Sequence, residues 1–265
     1  MSVAVHPLPE PLRAFADVAA TIAPHLARVD ALHARYRAEH AAGRILPNSI
    51  EALRVELTYH SNAIEGSTLS LRETQLVVEG LSPPAGKAMR ELYEARNHDL
   101  ALHMIEDWAR VRPPAAPITD RDLLDIHARV LTDIDARAAG RLRDGRVLIR
   151  GTRYIPPGPQ TFDALLPALL ALANDADAHS ALLAAEFHYN LVAVHPFADV
   201  NGRTARIAMN FLLLRRGYPH AIIPVERRAE YLAALESANA GRCEPFARFI
   251  AQCIADTLER LLGVA

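Results

Sequence analysis

A chain of 265 residues, 51% of them hydrophobic, can bury a sizeable core as one large unit or two smaller ones, and one fused unit is expected. A formal net charge of -2 and a pI near 6.6 leave no global basic footprint, which argues against nucleic acid as a partner. Cys243 and Cys253 are too far apart for a CxxC pair and read as reduced core thiols of a cytoplasmic protein; no apolar run reaches membrane-spanning length, and Met1 to Leu12 lacks a signal-peptide pattern.

In chain order, residues 9–42 are expected as two helices. Leu12, Phe15, Val18, Ala19 and Ile22 recur at helical spacing, Pro24 interrupts, and Leu26, Val29, Leu32 and Tyr36 resume before Gly43. Arg28, Arg35 and Arg37 on them read as a solvated face. A third helix, over about 48–66, starts at Asn48 or Ser49, carries Ile50, Leu53, Leu57 and Ile64, and closes at a left-handed Gly66. Near its end Ser61 and Glu65 lie four apart on one face. Ser70 and Glu73 form a capping box for the next helix. A long helix over 86–111 carries Met89, Leu92, Leu102, Ile105 and Trp108, and Pro113, Pro114 and Pro117 mark a linker. Residues 1–114 are therefore read as an N-terminal helical region and 115–265 as a core domain.

Thr119 and Asp122 cap a helix with Leu123, Ile126 and Val130, on which His127 reads as a packed histidine. The periodicity then changes. Residues 146–157 form two short extended runs around Gly151-Thr152, the single candidate β-hairpin in an otherwise all-α chain, with Pro156 and Pro157 leaving an open edge. Ser180 is expected to cap an apolar helix, from Leu182 to Val194, that delivers His195. After Gly217-Tyr218-Pro219 two further helices carry Tyr231, Leu232 and Leu235, then Phe246, Ile250, Ile254 and Leu258.

The chain is organised around residues 195–206, HPFADVNGRTAR. A histidine and a carboxylate precede Asn201-Gly202 and two arginines, and the apolar-periodic stretch Ile207, Phe211, Leu214 follows, so a loop feeds a helix N-terminus. Free N–H groups and the helix dipole suit that turn to phosphate, and Arg203 and Arg206, three apart, add two guanidinium groups for successive phosphates. Asp199 is placed to hold Mg2+ beside a polyphosphate, which leaves His195 as a base. His188, His195 and Asp199 match no zinc-hydrolase spacing.

This stretch resembles the Fic family signature, His-x-Phe-x-Asp/Glu-Gly/Ala-Asn-Gly/Lys-Arg-x-x-Arg, at every defined position but one. Val200 stands where the pattern has Gly or Ala; an ordinary backbone with φ below zero is expected there, so that the anion site survives, whereas φ above zero would mark a slow or purely binding member in which Val200→Gly restores transfer. The resemblance implies a Fic-like helical bundle with one short hairpin, the flap, which docks a target segment as an added strand through Ile149, Tyr154 and Ile155. It implies transfer of AMP from ATP to a Ser, Thr or Tyr hydroxyl of a target protein. In it, His195 would deprotonate the hydroxyl, Phe197 would anchor the loop, and Asp199 would hold Mg2+. Asn201 and Gly202 would meet the α- and β-phosphates, Arg203 the β- and Arg206 the γ-phosphate, with Tyr231 and Asn239 toward the adenine. Ser61, Glu65 and Gly66 resemble the family's inhibitory motif, Ser/Thr-x-x-x-Glu-Gly/Asn, whose glutamate pairs with the second arginine, here Arg206.

Two other functions stay open at this point. One is a phosphodiesterase that removes AMP from a protein, with Glu65 aligning water; the other is a nucleotide-binding regulator that Val200 leaves with little catalysis. The partner expected is a protein target, with self-modification and a homodimer open, and no membrane.

Overall fold

Ten α-helices carry the architecture of the described residues, 9–81, 85–113 and 115–264, of this computed structural model. Residues 1–8, most of the stretch tested for a signal peptide, and Pro114 of the expected linker lie outside them. Helix α7 (Ser180–Val194) is the axis, because every residue except Ser180 and Val192 is buried, and a helix apolar all round is stable only when surrounded. Against it lie α8 (Asn201–Arg215), α6 (Phe162–Ala173) and α10 (Glu244–Leu261), and α10 also carries α1 (Ala23–Ala41) and α9 (Arg228–Asn239). On the other side of α8 sits α4 (Met89–Val111), covered by α2 (Pro47–Ile64), α3 (Leu71–Val78) and α5 (Asp120–Val130). One hydrophobic cluster runs through these layers, with Val29, Leu57, Ile105, Phe187, Phe211 and Phe249 among its buried members.

The capping boxes at Ser70/Glu73 and Thr119/Asp122 are present, each with reciprocal side-chain to backbone bonds. Other boundaries differ. The first expected helix is only a 3-10 turn, Ala16–Val18, and Pro24 opens α1 where a break was expected, since a proline in the first turn lacks only a donor that is unpaired there anyway. Pro47 likewise opens α2 in place of a cap at Asn48 or Ser49, and the His179 side chain, not Ser180, caps α7 by accepting from Ala181 N–H.

The expected hairpin over 146–157 is absent: no strand occurs among the described residues. Pro156 and Pro157 remove donors from the second run, and a lone two-stranded ribbon is marginal without a sheet to join. Its polar groups find side chains instead, as when Tyr154 N–H donates to Thr152 Oγ1 at 2.9 Å. Both cysteines are free and buried. No helix among the described residues is long and apolar enough to cross a membrane.

Candidate active site

Helix α7 ends at His195, which caps it in the left-handed conformation (φ 50°, ψ 57°) and so turns its ring out of the helix. His195 Nδ1 lies 3.1 Å from the Val192 carbonyl. A carbonyl only accepts, so Nδ1 carries the proton and Nε2 keeps its lone pair. Burial pushes this imidazole down to about 4, the Val192 contact working weakly the other way, so the ring is neutral at pH 7. His195, Asp199, Gly202, Arg203, Glu65, Arg228 and Asn239 share the wall of one cavity of about 930 Å³.

The loop from 196 to 200 is held by its own sequence. Asn201 Oδ1 accepts from Phe197 N–H at 2.9 Å and its Nδ2 donates to Phe197 O at 2.8 Å, so this side chain braces the loop and its polar atoms are committed to the loop backbone. Phe197 is buried with its ring 3.9 Å from that of His127, nearly parallel. His127 Nδ1 accepts from Gly140 N–H at 3.0 Å, which fixes the proton on Nε2, 3.3 Å from the Asp199 carbonyl. Burial lowers His127 to about 4 and keeps it neutral.

Val200 departs from expectation. It has φ 53° and ψ 20°, the left-handed conformation that β-branched residues resist, and it is the N-cap of α8. The loop adopts the bend its neighbours demand, and the valine is held there because its side chain is packed, with 5% of the residue exposed. Helix α8 then begins at the cavity wall, which Asn201, Gly202 and Arg203 line. Arg203 and Arg206 are both buried; Arg203 Nη1 meets Glu94 Oε1 at 3.1 Å and Asn62 Oδ1 at 3.4 Å, while its Nε has no partner. Arg206 donates from Nε to Ser61 Oγ at 2.9 Å and from Nη2 to Ser61 O and to Glu65 Oε1, both at 2.8 Å. Its Nη1 makes no hydrogen bond of good geometry, and the Tyr231 hydroxyl interacts with the same buried guanidinium from beneath.

The Glu65 carboxylate reaches this terminus from the end of α2. Burial opposes its charge, but Arg206, with Arg203 and Arg228 farther off, outweighs that and holds it below the usual carboxylate range. A Cβ on Gly202 would run into the Glu65 carboxylate and come within 3.2 Å of Arg206 Nη1, so any side chain there would push the Glu65 carboxylate aside. Gly66, at φ 104°, lets the chain leave α2 at once, with Ser67 N–H donating back to Asn62 O at 3.1 Å. Arg228 Nε donates to Ile64 O at 2.7 Å and fastens the same helix end.

Tyr231 lies beneath the cavity, not on its wall: it is 2% exposed and its hydroxyl is 2.9 Å from His188 Nε2. Asn239 does line the cavity, and its Oδ1 accepts from the Tyr189 hydroxyl at 3.3 Å. Of the expected flap, Ile149 and Tyr154 line the cavity, the Tyr154 hydroxyl donates to Ala193 O at 3.0 Å, and Ile155 points to solvent with 63% exposure. Among the described residues no three His, Cys, Asp or Glu side chains group to hold a metal ion. Asp199 is a half-exposed acidic group on the cavity wall; its Oδ1 accepts from Val200 N–H at 2.7 Å and its Oδ2 faces the Arg90 guanidinium at 2.8 Å.

Sequence reasoning missed Arg143. This buried side chain donates to the carbonyls of His195 (2.7 Å), Gly145 (2.6 Å) and Pro157 (2.5 Å), tying the 143–157 segment to the end of α7. No spacing signal marks an arginine whose hydrogen-bond partners are all backbone oxygens and whose guanidinium lies 4.9 Å over the Phe162 ring. Glu94 and Arg90 were missed too, because a pair four apart on a helix looks like any surface pair.

Comparison with known proteins places the chain in one family. The Fic/DOC family model matches residues 117–213. A fragment of Fic-1 from C. elegans, its residues 134–508, superposes with a TM-score of 0.80 at 32% identity, covering 93% of this chain and 73% of that one. The chain therefore belongs to the Fic/DOC family. Among curated relatives, protein adenylyltransferase Fic of Drosophila willistoni is 37% identical over 251 residues, 93% of this chain and 49% of its own length. The Drosophila melanogaster protein of that name is 39% identical over 207 residues, 77% of this chain and 41% of its own. The chain thus spans about half the length of the curated relatives it matches.

Proposed function

We propose that this chain transfers AMP from ATP to a Ser, Thr or Tyr hydroxyl of a target protein and is restrained by Glu65. The observation that carries the reading is the joint wall of one cavity by a neutral His195, with Nε2 unprotonated, and by the N-terminus of α8 with Arg203, while Arg206 lies buried just behind it on Glu65. As the hydroxyl oxygen bonds to the α-phosphorus, His195 Nε2 takes its proton; the bond from that phosphorus to the oxygen bridging to the β-phosphate breaks, and pyrophosphate leaves. A positioned base is worth roughly 10²–10⁴-fold in rate. Gly202 and its neighbours leave the backbone open to the phosphates, and the two arginines meet the charge that grows on the leaving group. Exposed Leu148 and Ile155 on the 143–157 segment are suited to receive an apolar target segment.

Asp199 fits a Mg2+ ion held by one carboxylate with phosphate oxygens and water, for it already holds a cationic group in Arg90. When bound, Mg2+ offsets the negative charge of the departing pyrophosphate. Glu65 on Arg206 occupies the guanidinium donors that a γ-phosphate would need. Its place in the same cavity as His195 also supports a second reading, hydrolytic removal of AMP with Glu65 orienting water. The test is incubation with target-containing lysate and ATP labelled at the α- or the γ-phosphate. Retention of only the α-label on protein is expected; retention of the γ-label would sink the reading, and release of AMP from a pre-modified target would favour the reverse reaction.

A further inference from the structure

Arg90 lies in the first turn of α4, where the helix dipole disfavours a cation. Two carboxylates offset that cost: Nη2 is 2.8 Å from Asp199 Oδ2, outside the helix, and Nε is 2.9 Å from Glu94 Oε1, four residues on in α4. The same Glu94 oxygen is 3.1 Å from Arg203 Nη1, so four alternating charges, Asp199, Arg90, Glu94 and Arg203, run from the cavity wall to the phosphate helix. The start of α4 is itself fixed, because Glu91 accepts from Thr68 N–H at 2.5 Å and from Ser67 Oγ at 3.4 Å. Arg90 is thus presented to Asp199 from a rigid base.

With Oδ1 of Asp199 taken by the Val200 amide, Oδ2 is the oxygen that turns outward, and the Arg90 guanidinium covers it. Resting on the reading of Asp199 as the cation's ligand, the geometry points to Arg90 as a positioning residue that competes with the divalent cation. It neutralises Asp199 in the empty site and yields to Mg2+ when nucleotide brings the ion in. Glu94, one turn along α4, keeps the displaced guanidinium paired, so the exchange strands no charge. Both members of the Arg90–Asp199 pair are about half exposed, at 56% and 53%, which makes it weak enough to be exchanged.

The test is calorimetric titration of ATP with excess Mg2+ and with EDTA, read as the ratio of the metal-free to the metal-loaded Kd. Arg90→Ala is expected to raise that ratio about fivefold, which is ~1 kcal/mol, the upper end for a surface ion pair. Arg90→Lys, which keeps the charge, is expected to return it toward the parent value, and added NaCl is expected to narrow the gap between parent and Arg90→Ala. A ratio in Arg90→Ala equal to or below the parent's overturns the competition. Asp199→Ala is the separate control: its ratio is expected to fall to about one, and a ratio unchanged from the parent would overturn the assignment of the cation to Asp199 itself, whatever Arg90→Ala does.

Discussion

Two stretches wall the same cavity and are built on opposite terms. Residues 195–206 are over-determined: Asn201 holds both backbone groups of Phe197, His127 stacks on that ring and reaches the Asp199 carbonyl, and Arg206 is fixed by Ser61 and Glu65. Residues 143–157 form no ladder and depend on Arg143 and the Tyr154 hydroxyl, while Leu148 and Ile155 stand 82% and 63% exposed. Under the proposed function the difference separates two tasks. A base and an anion grip must hold their geometry, so their backbone is tied at every step. A surface meant to receive another chain keeps its apolar side chains uncovered and its backbone loosely tied.

The largest effect that tests this division is on chemistry. His195→Ala is expected to cut AMP transfer roughly 10²–10⁴-fold while ATP affinity by calorimetry stays close to the parent value, because the phosphate contacts are untouched. A comparable loss of binding would mean that His195 shapes the anion site and does not act as the base. Glu65→Gly comes next, with auto-labelling by ATP expected to rise on the order of tenfold to a hundredfold as Arg206 is released. The carboxylate is 39% exposed in its side chain, so the accompanying stability loss is held to about 1–3 kcal/mol. Unchanged labelling with ATP still bound would remove Glu65 from regulation.

On the opposite wall, Arg143→Met is expected to lower stability by roughly 1–3 kcal/mol in urea unfolding and to raise KM for the target, since its backbone acceptors are left without their donor. Leu148→Ser with Ile155→Ser is expected to raise that KM while leaving stability within about 0.5 kcal/mol. If both variants lower kcat and leave KM alone, the two walls do not divide the work in this way.

Acid sharpens the contrast from the buried side. His195, depressed to about 4, keeps its free base across neutral pH, so transfer is expected to stay flat down to about pH 5, with no fall near the ordinary histidine value of 6.5. His127 and His188 are held near 4 and 3 by burial; their contribution to stability is complete above 6.5 and is lost as pH falls from 6.5 toward those values. Glu186 opposes them, because burial raises it to about 7, so its contribution is complete below 4.5 and is lost as pH rises through about 7. His195 and the fully buried His98 are lowered in the same way, so the four histidines outweigh Glu186 and the net expectation is a loss on the order of 4 kcal/mol between about pH 7 and pH 5. Urea midpoints at the two pH values decide it, and greater stability at the lower pH would contradict it.

The smallest effect expected is at Val200. Left-handed backbone costs roughly 1–2 kcal/mol for such a residue, and burial of its side chain returns a similar amount. Val200→Gly is therefore expected to change stability by no more than about 1 kcal/mol and transfer by less than about tenfold. A hundredfold gain would show that the valine holds the anion site idle and would favour a nucleotide-binding regulator.

Much of the site was legible because it is contiguous. His195, Asp199, Gly202, Arg203 and Arg206 fall within one loop and the first turns of one helix, and local rules for helix termini translate that spacing directly into a candidate anion site. The capping boxes at Ser70 and Thr119 and the left-handed Gly66 were readable for the same reason. The hairpin was not, because extended runs become strands only when a neighbour accepts their hydrogen bonds, and two prolines and a lone ribbon offered none. The angle at Val200 and the place of Tyr231 were decided by packing, which overrides single-residue preference. Arg90 on Asp199, Glu94 on Arg203 and Arg143 on the His195 carbonyl join residues 109, 109 and 52 positions apart. Nothing in local periodicity encodes such meetings; they exist only once α4 has packed on α8 and the 143–157 segment has closed over the end of α7, since a charge finds its partner through the fold and not through its neighbours in sequence.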